Sequence, residues 1–262
     1  MTLDGTRTYV IGRARTVVID PGPDDVAHID AIAAEVRDGT VACILLTHLH
    51  PDHAAGADRL AAQLDTGIRA IGRGTLSDGD GIETDAGAFI ALHTPGHTSD
   101  HAAFHWPAGN AVFCGDLMMG GLETALVAAP EGDLGHYLGS LDRLRALEPE
   151  VIHPAHGPSF DRPAEALRTY VLHREARLRQ VLGALDAVGQ TVDEIAEAVY
   201  GGTIPDALRA VARDATLAYL EHLSRAGQVR SASGRWALRP TEIVAGNEPE
   251  RAAGPSTMFP TP

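Results

Sequence analysis

The sequence predicts an α/β protein: two packed sheets flanked by helices, followed by a helical module that closes in a hairpin. Three observations carry this. Up to about residue 157, short apolar runs alternate with Ala-rich stretches of helical period. Several of those runs stop at a Gly or Pro turn that bears His or Asp. Past residue 158 the strand signals vanish and return only just before residue 240.

Taken in order, Val41-Ala42-Cys43-Ile44-Leu45-Leu46 reads as a buried strand, and Asp58 to Leu64 as a helix just behind the loop that follows it. Ala88 to Leu92, Val112-Phe113-Cys114 and Val151-Ile152 are further strands. Leu134, Leu138, Leu141, Leu144 and Leu147 share one face of a helix over 134–147. Arg162-Pro163 starts a long helix expected to run to about Ala187. Thr191 and Glu194 form a capping box for a short helix ending at Tyr200-Gly201. Ile204-Pro205-Asp206 leads into another helix through Leu223, and Gln228 to Leu238 reads as a hairpin. Helix, helix, helix, hairpin is the pattern of a winged helix. The expected organisation is therefore a sandwich domain over 1–157, a winged-helix-like domain over 158–240, and a disordered tail over 241–262.

Function is written most densely in Thr47-His48-Leu49-His50-Pro51-Asp52-His53, directly after the first of these buried strands. Imidazole nitrogens and carboxylate oxygens are the donors zinc prefers in catalytic sites. One short loop can aim four of them at one place. The same pattern of strand, turn and donor recurs at His97, Asp116 and His156. Four strand ends that deliver donors to one edge predict a binuclear metal site.

The ordered set His-x-His-x-Asp-His, a lone His, Gly-Asp and a last His resembles the metallo-β-lactamase superfamily. The likeness runs from Gly5-Thr6 to about Arg239, and it implies the αββα sandwich. By motif it implies that His48, His50 and His97 hold one metal, that Asp52, His53 and His156 hold the second, and that Asp116 bridges them. Asp20, at the end of Val17-Val18-Ile19, matches the superfamily's early acidic motif and is expected to brace the His48–His53 loop. A bridging aspartate is the habit of the glyoxalase-II-like and nuclease-like branches, so antibiotic hydrolysis is not the implied activity.

The sandwich followed by a winged helix resembles a narrower branch, the lactamase-B-like endoribonucleases and polyketide thioesterases. Met119-Gly120-Gly121, Tyr137 to Leu141 and His173-Arg174-Glu175 support this. Arg7 and Ala155 stand where the branch has Asn and Gly. His173 and Arg174 are candidate substrate contacts. The resemblance implies two zinc ions per chain, with iron or manganese permitted by the donor types. The implied nucleophile is a hydroxide between the metals, with Asp116 anchoring the metal pair and Asp52, itself a ligand, orienting the nucleophile.

Three functions fit these residues: an ester or thioester hydrolase on a small-molecule or carrier-bound acyl group, an endoribonuclease on single-stranded RNA, and a non-enzymatic metal- and DNA-binding regulator. The complete donor set disfavours the regulator. Charge and aromatic content favour the first. Residues 1–157 hold 9 Arg against 22 acids within a net charge of −14, which opposes a nucleic-acid backbone. Only 5% of residues are Phe, Trp or Tyr, few for stacking bases. The arginines at 162, 168, 174, 177 and 179 read as a solvated helix face of local ion pairs, or else as a face that grips phosphate or carboxylate. Cys43 and Cys114 read as core residues. No apolar run approaches the roughly 20 residues of a membrane span, and no export signal is visible, so a cytoplasmic enzyme is expected.

Overall fold

The computed structural model describes residues 5–122 and 124–239. Strands β1 (Tyr9–Ile11), β2 (Arg15–Ile19), β3 (Thr40–Leu45) and β4 (Ile68–Arg69) form one sheet in that order. β1 pairs antiparallel with β2, and the other pairs are parallel. The parallel crossovers carry helices α1 (Val26–Glu35), α2 (Pro51–Ala54) and α3 (Ala57–Leu64). Strands β5 (Gly81–Thr84), β6 (Gly87–His93), β7 (Ala102–Trp106), β8 (Ala111–Gly115) and β9 (Val151–Pro154) form the second sheet, antiparallel except for β8 with β9. Helix α4 (Leu134–Arg145) is the crossover between that last pair.

Side-chain alternation builds the layers. Val17, Ile19, Cys43 and Leu45 point inward against Ile82, Phe89, Phe104 and Phe113 of the facing sheet. On the outer face of the first sheet, Val18, Ile44 and Leu46 pack on Ile29 and Ile32 of α1 and Leu60 of α3. On the outer face of the second, Val112, Cys114 and Ile152 pack on Leu134, Tyr137, Leu141 and Leu144 of α4. The result is the αββα sandwich, with both cysteines buried and free.

The C-terminal part comprises α5 (Pro163–Gly183), α6 (Val192–Tyr200), α7 (Arg209–Arg225) and the hairpin β10 (Val229–Ala232) with β11 (Arg235–Leu238). Both halves of the capping box at Thr191 and Glu194 are formed. Its apolar residues, among them Ile195, Leu220 and Trp236, join the same buried cluster as Val112 and Leu141. The winged helix is thus welded to the sandwich through one continuous core.

One expectation is corrected. Helix α5 ends at Gly183, not near Ala187. Asp186 is the cause: its Oδ1 accepts from the backbone N–H of Val188 and Gly189, which commits the chain to a turn. The expected tail over 241–262 lies outside the described residues. Among those residues, no helix is long and apolar enough to cross a membrane.

Candidate metal centre

The loop after β3 is shaped by its own sequence. Pro51 occupies the first turn of α2, where its missing N–H leaves no bond unmade. The short helix then sets Asp52 and His53 beside His48 and His50. His97 arrives from the loop after β6, Asp116 from the turn after β8, and His156 from the loop after β9. Gly96 lets the His97 loop approach α4, since a Cβ there would lie 2.3 Å from the Tyr137 Cα.

The structure brings all seven residues together. His48, His50 and His97 form one group of donors, and Asp52, His53 and His156 form another. In the first, His50 Nδ1 lies 2.9 Å from His48 Nε2 and 3.1 Å from His97 Nε2. In the second, Asp52 Oδ2 lies 3.6 Å from His53 Nε2 and 3.5 Å from His156 Nε2. Asp116 stands between them, with Oδ1 3.4 Å from His53 Nε2 and 3.3 Å from His156 Nε2, and Oδ2 3.7 Å from His97 Nε2.

The opposite ring nitrogens are tied to the protein. His97 Nδ1 donates to the Leu126 carbonyl at 2.8 Å and His156 Nδ1 to the Gly5 carbonyl at 3.0 Å. His53 Nδ1 lies 2.9 Å from Asp20, and His50 Nε2 lies 3.1 Å from Glu131. Such partners fix each ring's tautomer and aim its free lone pair inward. Asp20 also accepts from the Thr47 N–H and hydroxyl, at 2.8 and 2.7 Å, which ties it to the start of the loop.

These residues fit a metal. His53 Nε2 and Asp116 Oδ1 are buried without a hydrogen-bond partner, and such orphaned groups cost about 1–3 kcal/mol each unless something binds them. Burial holds His48 and His97 below the ordinary imidazole range, and nearby histidines add to this at His48. Both rings are therefore neutral donors. At His53 burial acts the same way, but the carboxylates of Asp20 and Asp116 outweigh it and raise the pKa to about 10. Asp116 is pushed up by burial and, more strongly, down by His53, His97 and His156, so it stays ionised. Borderline nitrogen donors with carboxylates suit zinc, iron and manganese.

His101 is fully buried beside the centre. Its Nδ1 meets the Thr94 hydroxyl at 2.9 Å and its Nε2 accepts from the Asp116 N–H at 3.2 Å, so it positions Asp116. Burial drives its pKa down to about 3, which keeps Nε2 an acceptor. His173 and Arg174 do not join the cluster. They line a cavity bounded by residues 124–127, α5 and α7, and none of the seven donors lines it. The Ala155 departure is accommodated: its N–H donates to the Gly115 carbonyl and its carbonyl accepts from Arg7, at 3.1 and 2.8 Å. Arg7 itself donates to the Gly157 carbonyl at 2.7 Å.

With fold and donors in place, the chain belongs to the metallo-beta-lactamase superfamily, whose family model matches residues 1–76 and 71–156. The beta-lactamase associated winged helix domain matches residues 191–236. The superfamily is typically one of metal-dependent hydrolases, and this chain carries a His/Asp cluster suited to that chemistry. Among curated relatives, the lactamase-like protein aptB of Emericella nidulans is 33% identical over 232 residues, 81% of this chain and 74% of that one. A metallo-beta-lactamase family protein from Thermus thermophilus superposes with a TM-score of 0.73 at 22% identity, covering 89% of this chain and 94% of that one. TTHA1623, solved in a di-iron-bound form, superposes at 0.52 with 30% identity over 63% of this chain and 96% of its own.

Proposed function

We propose that this chain is a binuclear-metal hydrolase of an ester or thioester, acting on a small-molecule or carrier-bound acyl group. The observation that carries the reading is Asp116 between two donor groups, with its Oδ1 and His53 Nε2 buried and otherwise unsatisfied. His48, His50 and His97 would hold one ion and Asp52, His53 and His156 the other. Divalent cations held there supply Lewis acidity and a nucleophile available near neutral pH. Zinc is the first metal to test, and the di-iron form of TTHA1623 makes iron the second.

The residues divide the remaining work. The side chains of His50 and Asp52 are each 34% exposed while His53 and His156 are sealed, so substrate meets the centre from the His50–Asp52 side. Asp52 touches both the buried histidines and solvent. It is the base placed to orient the attacking water and take its proton. Water adds to the acyl carbon and the C–O or C–S bond breaks, giving a carboxylate, an alcohol or thiol, and a proton.

RNA is the second reading, drawn from the resemblance to the endoribonuclease branch. Against it, the arginines of α7 are engaged by acids: Arg209 by Glu197 and Asp206, Arg213 by Asp193 and Asp214, and Arg225 by Asp133. A face whose cations are already paired attracts phosphates weakly. The same pairing disfavours DNA.

The test combines metal content with two substrates on one preparation, an acyl thioester and a labelled single-stranded RNA, against His50→Ala/His53→Ala. Thioester cleavage lost in the variant together with metal supports the proposal. RNA cleavage alone, lost in the same variant, overturns it in favour of the nuclease.

A further inference from the structure

A cavity of about 270 Å³ lies between the Thr124–Val127 segment, α5 and the winged helix. Two of the exposed large hydrophobics, Leu126 and Val211, line it, 45% and 40% accessible, and Leu208 adds to its apolar wall. Its size is near the lower limit of small-molecule pockets, about 300 Å³, so it suits a short chain or a ring system rather than a polymer.

Its charge is unusual for this molecule. In a chain of net charge −14, the lining holds Arg174 and Arg177 and no acid. The two arginines are three residues apart on α5 and share a face. Arg174 is 4% exposed. It donates to the Tyr219 hydroxyl at 3.0 Å and to the Ala125 carbonyl, and its guanidinium lies over the Tyr137 ring, 4.7 Å from the centroid. No carboxylate of the described residues pairs with it, and its buried Nε has no partner. Arg177 lies 4.2 Å over the Tyr200 ring and likewise has no ion pair among the described residues. A buried cation without a counter-ion is a strong demand for an anion.

The cavity is also wired to the metal centre. Arg174 holds the Ala125 carbonyl, and the next carbonyl, Leu126, receives His97 Nδ1. One short segment therefore forms the wall of the cavity and the support of a metal-facing ring.

We propose that this cavity binds an apolar carboxylate, with its carboxylate on the Arg174–Arg177 face and its chain against Leu126, Leu208 and Val211. This binding does not depend on the hydrolase reading above and is measured without turnover.

The probe is decanoate, titrated calorimetrically into the full-length metal-loaded protein, with decan-1-ol as its neutral counterpart. Losing a charge-assisted contact in Arg177→Met should weaken decanoate about tenfold or more and leave decanol nearly unchanged. Filling the cavity by Ala215→Phe should weaken both. If Ala215→Phe does not fold, the partly exposed Arg177 carries the test alone. No decanoate binding up to its solubility limit, or equal binding in Arg177→Met and wild type, overturns the proposal. Decanoate binding as expected with no thioester cleavage sinks only the hydrolase reading. Thioester cleavage without decanoate binding sinks only this one.

Discussion

Glu131 reaches across from the loop before α4 to lie 3.1 Å from His50 Nε2, the ring nitrogen that faces away from His48 and His97. It thereby sets which nitrogen of His50 carries the proton and leaves Nδ1 as the donor.

Removing that partner should weaken metal binding. Outer partners of ligating histidines are worth about 10–100-fold in affinity, and an exposed one belongs at the lower end, so Glu131→Ala should raise the zinc Kd about tenfold. Glu131→Gln keeps an acceptor and should change it less. Competition with a chelating dye reads both.

Asp20 presents a larger effect. Its buried carboxylate satisfies the Thr47 N–H, the Thr47 hydroxyl and His53 at once. Breaking a buried charged contact of this kind costs about 3–5 kcal/mol, so Asp20→Ala should lose that much stability in urea unfolding. Asp20 also has a left-handed backbone, φ 48°, which Asn tolerates. Asp20→Asn should therefore fall between wild type and Ala.

The site's histidines and carboxylates were legible because each donor sits beside a strand end, where an apolar run meets a Gly or Pro turn. Their supports were not. Glu131 lies 81 residues from His50, the Leu126 carbonyl 29 from His97, and the Gly5 carbonyl 151 from His156. Nothing in a local pattern signals a contact that only the closed sandwich creates. The end of α5 escapes the pattern for the opposite reason: Ala-Leu periodicity continues past Gly183, while one side chain, Asp186, redirects the backbone. Arg174 stood out by motif, yet its place behind the metal loop depends on how the winged helix packs.

Proton linkage gives a prediction with a definite sign. In metal-stripped protein the His53 pKa is raised to about 10, above its unfolded value of about 6.5. Its contribution to stability is therefore complete below about pH 6.5 and is lost as pH rises through about 10. A metal must displace that proton. Zinc uptake near pH 8 should accordingly release a proton into weak buffer, and affinity should climb with pH towards 10. Uptake with no proton release would contradict the assignment of His53 as a ligand.

Gly120 supports His156 by closeness. Its N–H donates to the His156 carbonyl at 2.8 Å, and a Cβ there would lie 1.9 Å from the Pro158 carbonyl oxygen. Gly120→Ala should displace the His156 loop, cost about 1–3 kcal/mol, and lower bound metal towards one equivalent by elemental analysis.

The hydrogen bond between His156 and Gly5 has a consequence for assembly. Donors scattered from residue 48 to residue 156 are made competent only when a segment near the start of the chain closes over the last of them. Contacts so remote in sequence form late, because a long loop must be closed before they repay its entropy. A nascent or truncated chain can therefore fold its first sheet and still lack the complete donor set. Metal stoichiometry then reports that the whole sandwich has finished folding.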